Sequence, residues 1–307
     1  MGTVPTNRPA IDLRGIEKAV RRVRKFIKKD RKRPSGKAVH DLRTGARRLE
    51  SALNAFAFNK SHKDKKLLDD LVETRKSAGK VRDMDVLTGH ALTLDHKEEE
   101  QDCLVKLIEY LGAERETVAR KLRQTLRRSG GRLSRHLKRA FRRLQKRAEK
   151  TEKQEETDRE SQAEVAAKAL QLFSELGEPR QLNRANLHPY RLKVKELRYV
   201  LQMFGRANNG QLLSKLGDVK DAIGEWHDFV ELSSIAGEML DHGSSCKILA
   251  QLRSATDDRF ERALSLSNQL RHQYMKQSRI RRRGNRRTGP SQLSRSVLAV
   301  VSPLRRP

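Results

Sequence analysis

The segment His40-Asp41-Leu42-Arg43-Thr44-Gly45-Ala46-Arg47-Arg48-Leu49 returns 148 residues later as His188-Pro189-Tyr190-Arg191-Leu192-Lys193-Val194-Lys195-Glu196-Leu197. Leu53 and Phe56 meet Leu201 and Phe204 at the same offset. A helix turns by about 100° per residue, so on a wheel zeroed at His40, Arg43 falls near about −60° and Arg47 near about −20°. In the second copy His188, Arg191, Lys195 and Arg198 span an arc of roughly 80°. Leu49, Ala52, Leu53 and Phe56 gather in another sector, at about 120° to 220°, and Leu197, Val200, Leu201 and Phe204 do the same. Each copy therefore reads as a helix with an apolar face and a separate seam of one histidine and several cations.

A weaker repeat follows each seam. Gly79-Lys80-Val81-Arg82-Asp83 matches Gly224-Glu225-Trp226-His227-Asp228, and the two glycines trail their histidines by 39 and 36 residues. Two ordered matches at similar spacing predict a duplicated helical unit, with halves at about 10–155 and 160–276. Like charges three or four residues apart destabilise a helix by a few tenths of a kcal/mol per pair. A solvated face, with stems lying over apolar surface, accounts for one such seam. The same seam twice, with a histidine at the same end, points to a polyanion that neutralises it.

The rest of the chain agrees with this reading. Its 307 residues hold 68 Lys+Arg against 39 Asp+Glu, a net charge of +29, with only 4% aromatics. This composition favours helices over a β-sandwich or barrel, and the charge calls for an anionic partner. Ile16, Val20, Val23 and Ile27 recur at helical spacing, and Pro34-Ser35-Gly36 punctuates before the His40 helix. Gly79 and the pair Gly130-Gly131 are read as interruptions. Residues 149–164 hold almost no apolar side chain and are read as a solvated helix or a linker between the halves. Further helices are expected over Glu164–Leu176, Leu187–Phe204 and Gln211–Asp241, and from Cys246 to about Lys276. No segment alternates as a strand does.

Residues 277–307 contain nine arginines and no acid, and read as a disordered basic tail. Without them, 59 basic residues still face 39 acidic ones, a net of +20. The helical region is basic in its own right. Cys103 and Cys246 are too few for a disulfide framework and are read as reduced thiols. No leader peptide and no apolar run of membrane-spanning length is expected, and the expected location is the cytoplasm.

The motifs His40, Arg43, Arg47, Arg48, Leu49 and His188, Arg191, Lys195, Arg198, Tyr199 resemble those of the CHAD family, the conserved histidine α-helical domain. The segments Gly79 to Asp83 and Gly224 to Asp228 are similar to that family's glycine-containing motifs. The resemblance covers about residues 10–276. It implies an all-α fold of two pseudo-symmetric four-helix bundles around a basic central cavity. It also implies binding of inorganic polyphosphate without a catalytic step, and association with polyphosphate granules as one option. One position departs: family members often carry arginine ten residues after the first histidine, where this chain has Glu50.

The residue chemistry suits that implication. Polyphosphate presents rows of charge and no bases, so its binder needs cations in rows and little stacking surface, and arginine grips phosphate oxygens in pairs. The scarcity of aromatics argues against sequence-specific single-strand recognition. Arg120, Arg123 and Arg127 form a further seam, with Arg259 and Arg262 as possible counterparts in the second half. No cofactor is expected. A metal centre finds no His-x3-His or Cys-x2-Cys pair, and no phosphate-binding loop is present. The second reading is a sequence-nonspecific nucleic-acid binder using the arginine tail. The third is a phosphohydrolase, suggested by the His40-Asp41 and His227-Asp228 steps.

Overall fold

The structure is a computed structural model that describes residues 13–30, 32, 34–55, 61–94, 101–151, 156–203, 210–240 and 246–275. The arginine-rich tail, Phe56 and Phe204 lie outside the described residues. Within them every regular element is a helix: α1 (Leu13–Lys25) with a π-helical turn (Phe26–Asp30), α2 (Gly36–Ala55), α3 (His62–Ala91), α4 (Gln101–Thr151), α5 (Glu156–Gly177), α6 (Leu187–Met203), α7 (Gly210–Met239) and α8 (Lys247–Tyr274). No strand is present among the described residues.

Two compact units divide the chain. The N-terminal unit takes Ala10–Gln154 together with a later piece, Ile235–Leu249. Its core is built from α1 (Val20, Val23), α2 (Leu42, Leu49, Leu53), α3 (Leu67, Leu71) and α4 (Leu122, Leu126, Leu137). Ser35 starts α2 by accepting from the Ala38 N–H, and Ser61 caps α3 by accepting from the Asp64 N–H while donating to its carboxylate. Four arginines of α4 then lock onto carboxylates of α3: Arg143 on Asp64, Arg132 on Asp70, Arg128 on Glu73 and Arg115 on Asp85. The α4 numbers fall as the α3 numbers rise, so the two helices run antiparallel. Asp70 is 2% exposed and is satisfied by both Nε (2.8 Å) and Nη2 (2.9 Å) of Arg132. At the other end of the unit Leu104, Leu107 and Leu111 of α4 are buried, as are Leu240, Cys246 and Ile248 of the later piece. There the Cys103 thiol neighbours that of Cys246. Burial first, and that neighbour second, push its pKa upward and keep it a thiol.

Two sequence expectations change here. α3 runs unbroken through Gly79, and α4 runs unbroken through Gly130 and Gly131. A glycine inside a helix costs only about 1 kcal/mol against alanine, which packing overrides. Gly79 and Gly130 each have a packing reason, whereas Gly131 faces open space. A Cβ on Gly130 would stand 3.2 Å from Ile27 Cγ2, so the missing side chain lets the π-helical turn approach α4 closely. The role of Gly79 belongs to the site below.

The C-terminal unit takes Glu155–Ser234 and, among the described residues, Ala250 to Met275. Its core joins Leu172 and Leu176 of α5, Tyr190, Val194, Leu197 and Leu201 of α6, Leu216, Ile223 and Trp226 of α7, and Phe260 and Ala263 of α8. An asparagine turn precedes α6: Asn183 Oδ1 accepts from the Ala185 and Asn186 N–H groups. Pro189 is tolerated because it falls in the first turn of α6, where its missing N–H costs no helical bond.

Candidate functional site

The two seams sit where the wheel arithmetic puts them, off the apolar faces. In α2, Leu42 and Leu49 are buried, Arg43 and Arg47 are half-buried, and His40 and Arg48 are exposed. In α6, Val194, Leu197 and Leu201 are buried while His188, Arg191, Lys195 and Arg198 are all half-buried. Half-burial is the useful state for an anion-binding cation. The stem is fixed by packing, and the head remains reachable.

What fixes the heads is the second sequence repeat. Within the N-terminal unit, Arg43 of α2 lies across Gly79 of α3, its Nε 3.6 Å from where a Cβ would be. Within the C-terminal unit, Arg191 of α6 lies across Gly224 of α7, its Nη2 only 2.6 Å from the equivalent point. Arg191 Nε also donates to the Lys220 carbonyl at 3.1 Å. A third case is Arg198, whose Nε stands 3.7 Å from the Cβ position of Gly217. The glycines of both repeats thus serve as bare seats for guanidinium groups from the preceding helix. The Arg-to-Gly correspondence is the same in both units.

The units differ in two places. Glu50, where the resemblance expects arginine, accepts from Arg75 Nε of α3 at 2.5 Å, whereas its counterpart Arg198 keeps its charge on the seam. The residue one turn after the glycine is Arg82 in the first repeat and His227 in the second. The His227 ring lies against His188, with centroids 4.6 Å apart and planes tilted by 39°. Burial, followed by the charges of His227, Arg191 and Lys195, holds the His188 pKa below its ordinary value. Its Nδ1 is buried and has no hydrogen-bond partner among the described residues.

The Arg120 seam divides. Arg123 and Arg127 line a groove of about 720 Å³ in the N-terminal unit, with Lys32, Pro34, Ser35, Arg115 and Glu116. Arg115 is held there by Asp85 (2.6 Å) and by the Pro34 carbonyl (3.0 Å). Arg123 is engaged by Glu116 at 2.5 Å, and that hydrogen bond, with Arg120 and Arg115 nearby, lowers the Glu116 pKa. Arg120 is exposed beside the groove. Arg259 and Arg262 meet different surroundings: both point to Glu225, at 3.1 and 3.5 Å, and Arg259 stacks on the Phe229 ring. The hollow beside them, about 510 Å³, is lined by Asp218, Asp221 and Glu225 as well as Arg262. The two arginine sets are therefore not equivalent. Lys32 and Arg115 were not among the residues that the sequence picked out, and His227 was picked out only in the His227-Asp228 step of the phosphohydrolase reading. At the 148-residue offset Arg115 falls on Ala263 and has no cationic counterpart, and His227 was given no phosphate-binding role because its own counterpart is an arginine. No group of three or more metal-ligating side chains exists among the described residues, and no described helix is long and apolar enough to cross a membrane.

Comparison with known proteins gives these arrangements a family. No curated protein matches the sequence. Among solved structures, the crystal structure of the CHAD domain from the plant Ricinus communis superposes with a TM-score of 0.59 at 20% identity, covering 86% of this chain and 89% of that one. The model of the CHAD domain family matches residues 14–236, which include both histidine seams and both glycine seats. With a match over most of its length and an all-helical fold to agree, the chain belongs to the CHAD domain family.

Proposed function

We propose that this protein binds inorganic polyphosphate through the α2 and α6 seams, without turning it over. The observation that carries the reading is the repeated seating of an arginine on a bare helix, Arg43 on Gly79 and Arg191 on Gly224. It holds cations in rows at a half-buried surface, and that is the requirement of a ligand made only of phosphate. Membership of a family linked in general to polyphosphate binding supports it. In this reading His40 and His188 donate hydrogen bonds to phosphate oxygens. Arg43, Arg47, Arg48, Arg191, Lys195 and Arg198 supply charge. Arg120, Arg123 and Arg127 extend the first row, with Glu116 giving up Arg123 as ligand arrives. Arg259 and Arg262 join only if Glu225 releases them.

The test is a titration with long-chain polyphosphate against duplex DNA and RNA at matched phosphate and salt. Polyphosphate is expected to bind most tightly. Log affinity should fall linearly with log salt concentration, as it does when counterions are released from a polyanion. The chain-length distribution of polyphosphate kept with the protein and Mg²⁺ should stay unchanged. Tighter binding to DNA or RNA would favour the nucleic-acid reading. Orthophosphate release that disappears in His40→Ala would make the protein a phosphohydrolase.

The glycine seat has its own signature. Gly224→Ala places a Cβ 2.6 Å from Arg191 Nη2 and 3.2 Å from both Cζ and Nε, so the guanidinium must move off its seat. Alanine is the better helix former by about 1 kcal/mol, which offsets the lost carbonyl bond. The variant is expected to keep its melting temperature within a few degrees and to bind polyphosphate about tenfold more weakly, one charge-assisted contact being worth about 1.5–3 kcal/mol. Gly79→Ala, whose Cβ meets Arg43 at an ordinary 3.6 Å, should change binding less.

A further inference from the structure

We propose that His188 and His227 together form a proton-linked phosphate contact, so that binding a polyphosphate chain draws a proton onto the pair and the C-terminal unit binds more tightly as pH falls. This rests on the polyphosphate reading and adds to it a residue, His227, and a mode of regulation. The two rings come from different helices, α6 and α7, and touch at 4.6 Å. His188 is half-buried, with its Nδ1 unpartnered. One turn along α6 lies Arg191, seated on Gly224, which is itself one turn before His227 on α7. A phosphate held by Arg191 is therefore beside both imidazoles.

The charges that bear on His188 are His227 from α7 and Arg191 and Lys195 from α6. Two charged side chains of α5 engage α6 at other points, Lys168 on Glu196 and Glu175 on Lys193. From α8, Asp257 engages Arg184. With burial and cations around it, His188 is kept neutral in the free protein at neutral pH. An anion reverses that balance, because it rewards the charged imidazole. The pKa of His188 must then rise on binding, and by linkage affinity must rise as pH falls from the bound-state pKa toward the free-state one. The first repeat is the internal contrast. Arg82 stands where His227 stands in the second, so that unit carries a fixed charge at this point and the other a conditional one.

The experiment is calorimetric titration of the full chain with long-chain polyphosphate at constant ionic strength. It uses buffers of different ionisation heat and pH values from 8 to 5.5. A long chain keeps end-group titration small. The wild type is expected to take up protons on binding and to gain affinity by up to about tenfold per pH unit inside the window. His227→Arg, which copies the first repeat, should bind more tightly than wild type at pH 8 and show a much flatter pH profile. His188→Gln should lose most of the proton uptake. Binding of equal strength across the range without uptake, or uptake unchanged in both variants, overturns the proton linkage and leaves the polyphosphate reading standing. Absence of polyphosphate binding at every pH overturns that reading and the linkage with it.

Discussion

Replacing Arg191 and Lys195 together by alanine is expected to weaken polyphosphate binding by about 3–6 kcal/mol, two charge-assisted contacts at about 1.5–3 kcal/mol each. Arg43→Ala with Arg47→Ala should cost a similar amount. Neither pair is on an apolar face, so the helices should hold. Removing like charges from one seam offsets part of any packing lost with the stems. The measurement is thermal unfolding with and without ligand. Polyphosphate should raise the wild-type melting temperature, as any ligand specific for the folded state does, and raise it far less in either double variant. Equal ligand-induced shifts in all three proteins, or unfolding of the variants without ligand, would assign the seams to structure instead.

The complementary substitution acts on the other side of the same helix. Leu197→Ala removes a side chain that is 0% exposed, in the C-terminal core beside Val194 and Leu201. Losing it should destabilise the protein by about 2–5 kcal/mol through lost burial and the cavity left behind. The melting temperature should drop on the order of 5–15 °C. Leu42→Ala, also 0% exposed, should do the same in the N-terminal unit. The surviving folded molecules should bind polyphosphate normally. A loss of affinity without loss of stability would mean that the apolar and cationic faces of α2 and α6 have been assigned the wrong way round.

The division between those two faces was legible in the residues themselves. A 3.6-residue period sorts Leu197 and Leu201 from Arg191 and Lys195 without any tertiary information, and the 148-residue offset shows that the sorting occurs twice. Gly79 and Gly130 were misread as interruptions because propensity is local, while the reason for these glycines is a neighbour far away in sequence: Arg43 for one, Ile27 for the other. The carboxylates that engage arginines were equally hidden. Glu225 reaches Arg259, 34 positions on, and Asp85 reaches Arg115, 30 positions on. No helical spacing connects such pairs, so the sequence could count cations but could not tell which were already spoken for. His227 was not read as a phosphate contact for a further reason: repeats reveal what is the same in both copies, and this site is where they differ.

The N-terminal unit takes in Ile235–Leu249, and this sets a schedule for synthesis. A ribosome emits about 5–20 residues per second, so the last of that piece follows residue 154 by roughly 5–20 s. For that interval α1 to α4 can pair, since their partners are all at hand, yet Cys103 has no Cys246 to meet and one end of the unit stays unfinished. A gene divided between the two sequence repeats would not yield two domains. It would yield one fragment with a missing wall and another carrying the piece that fills it.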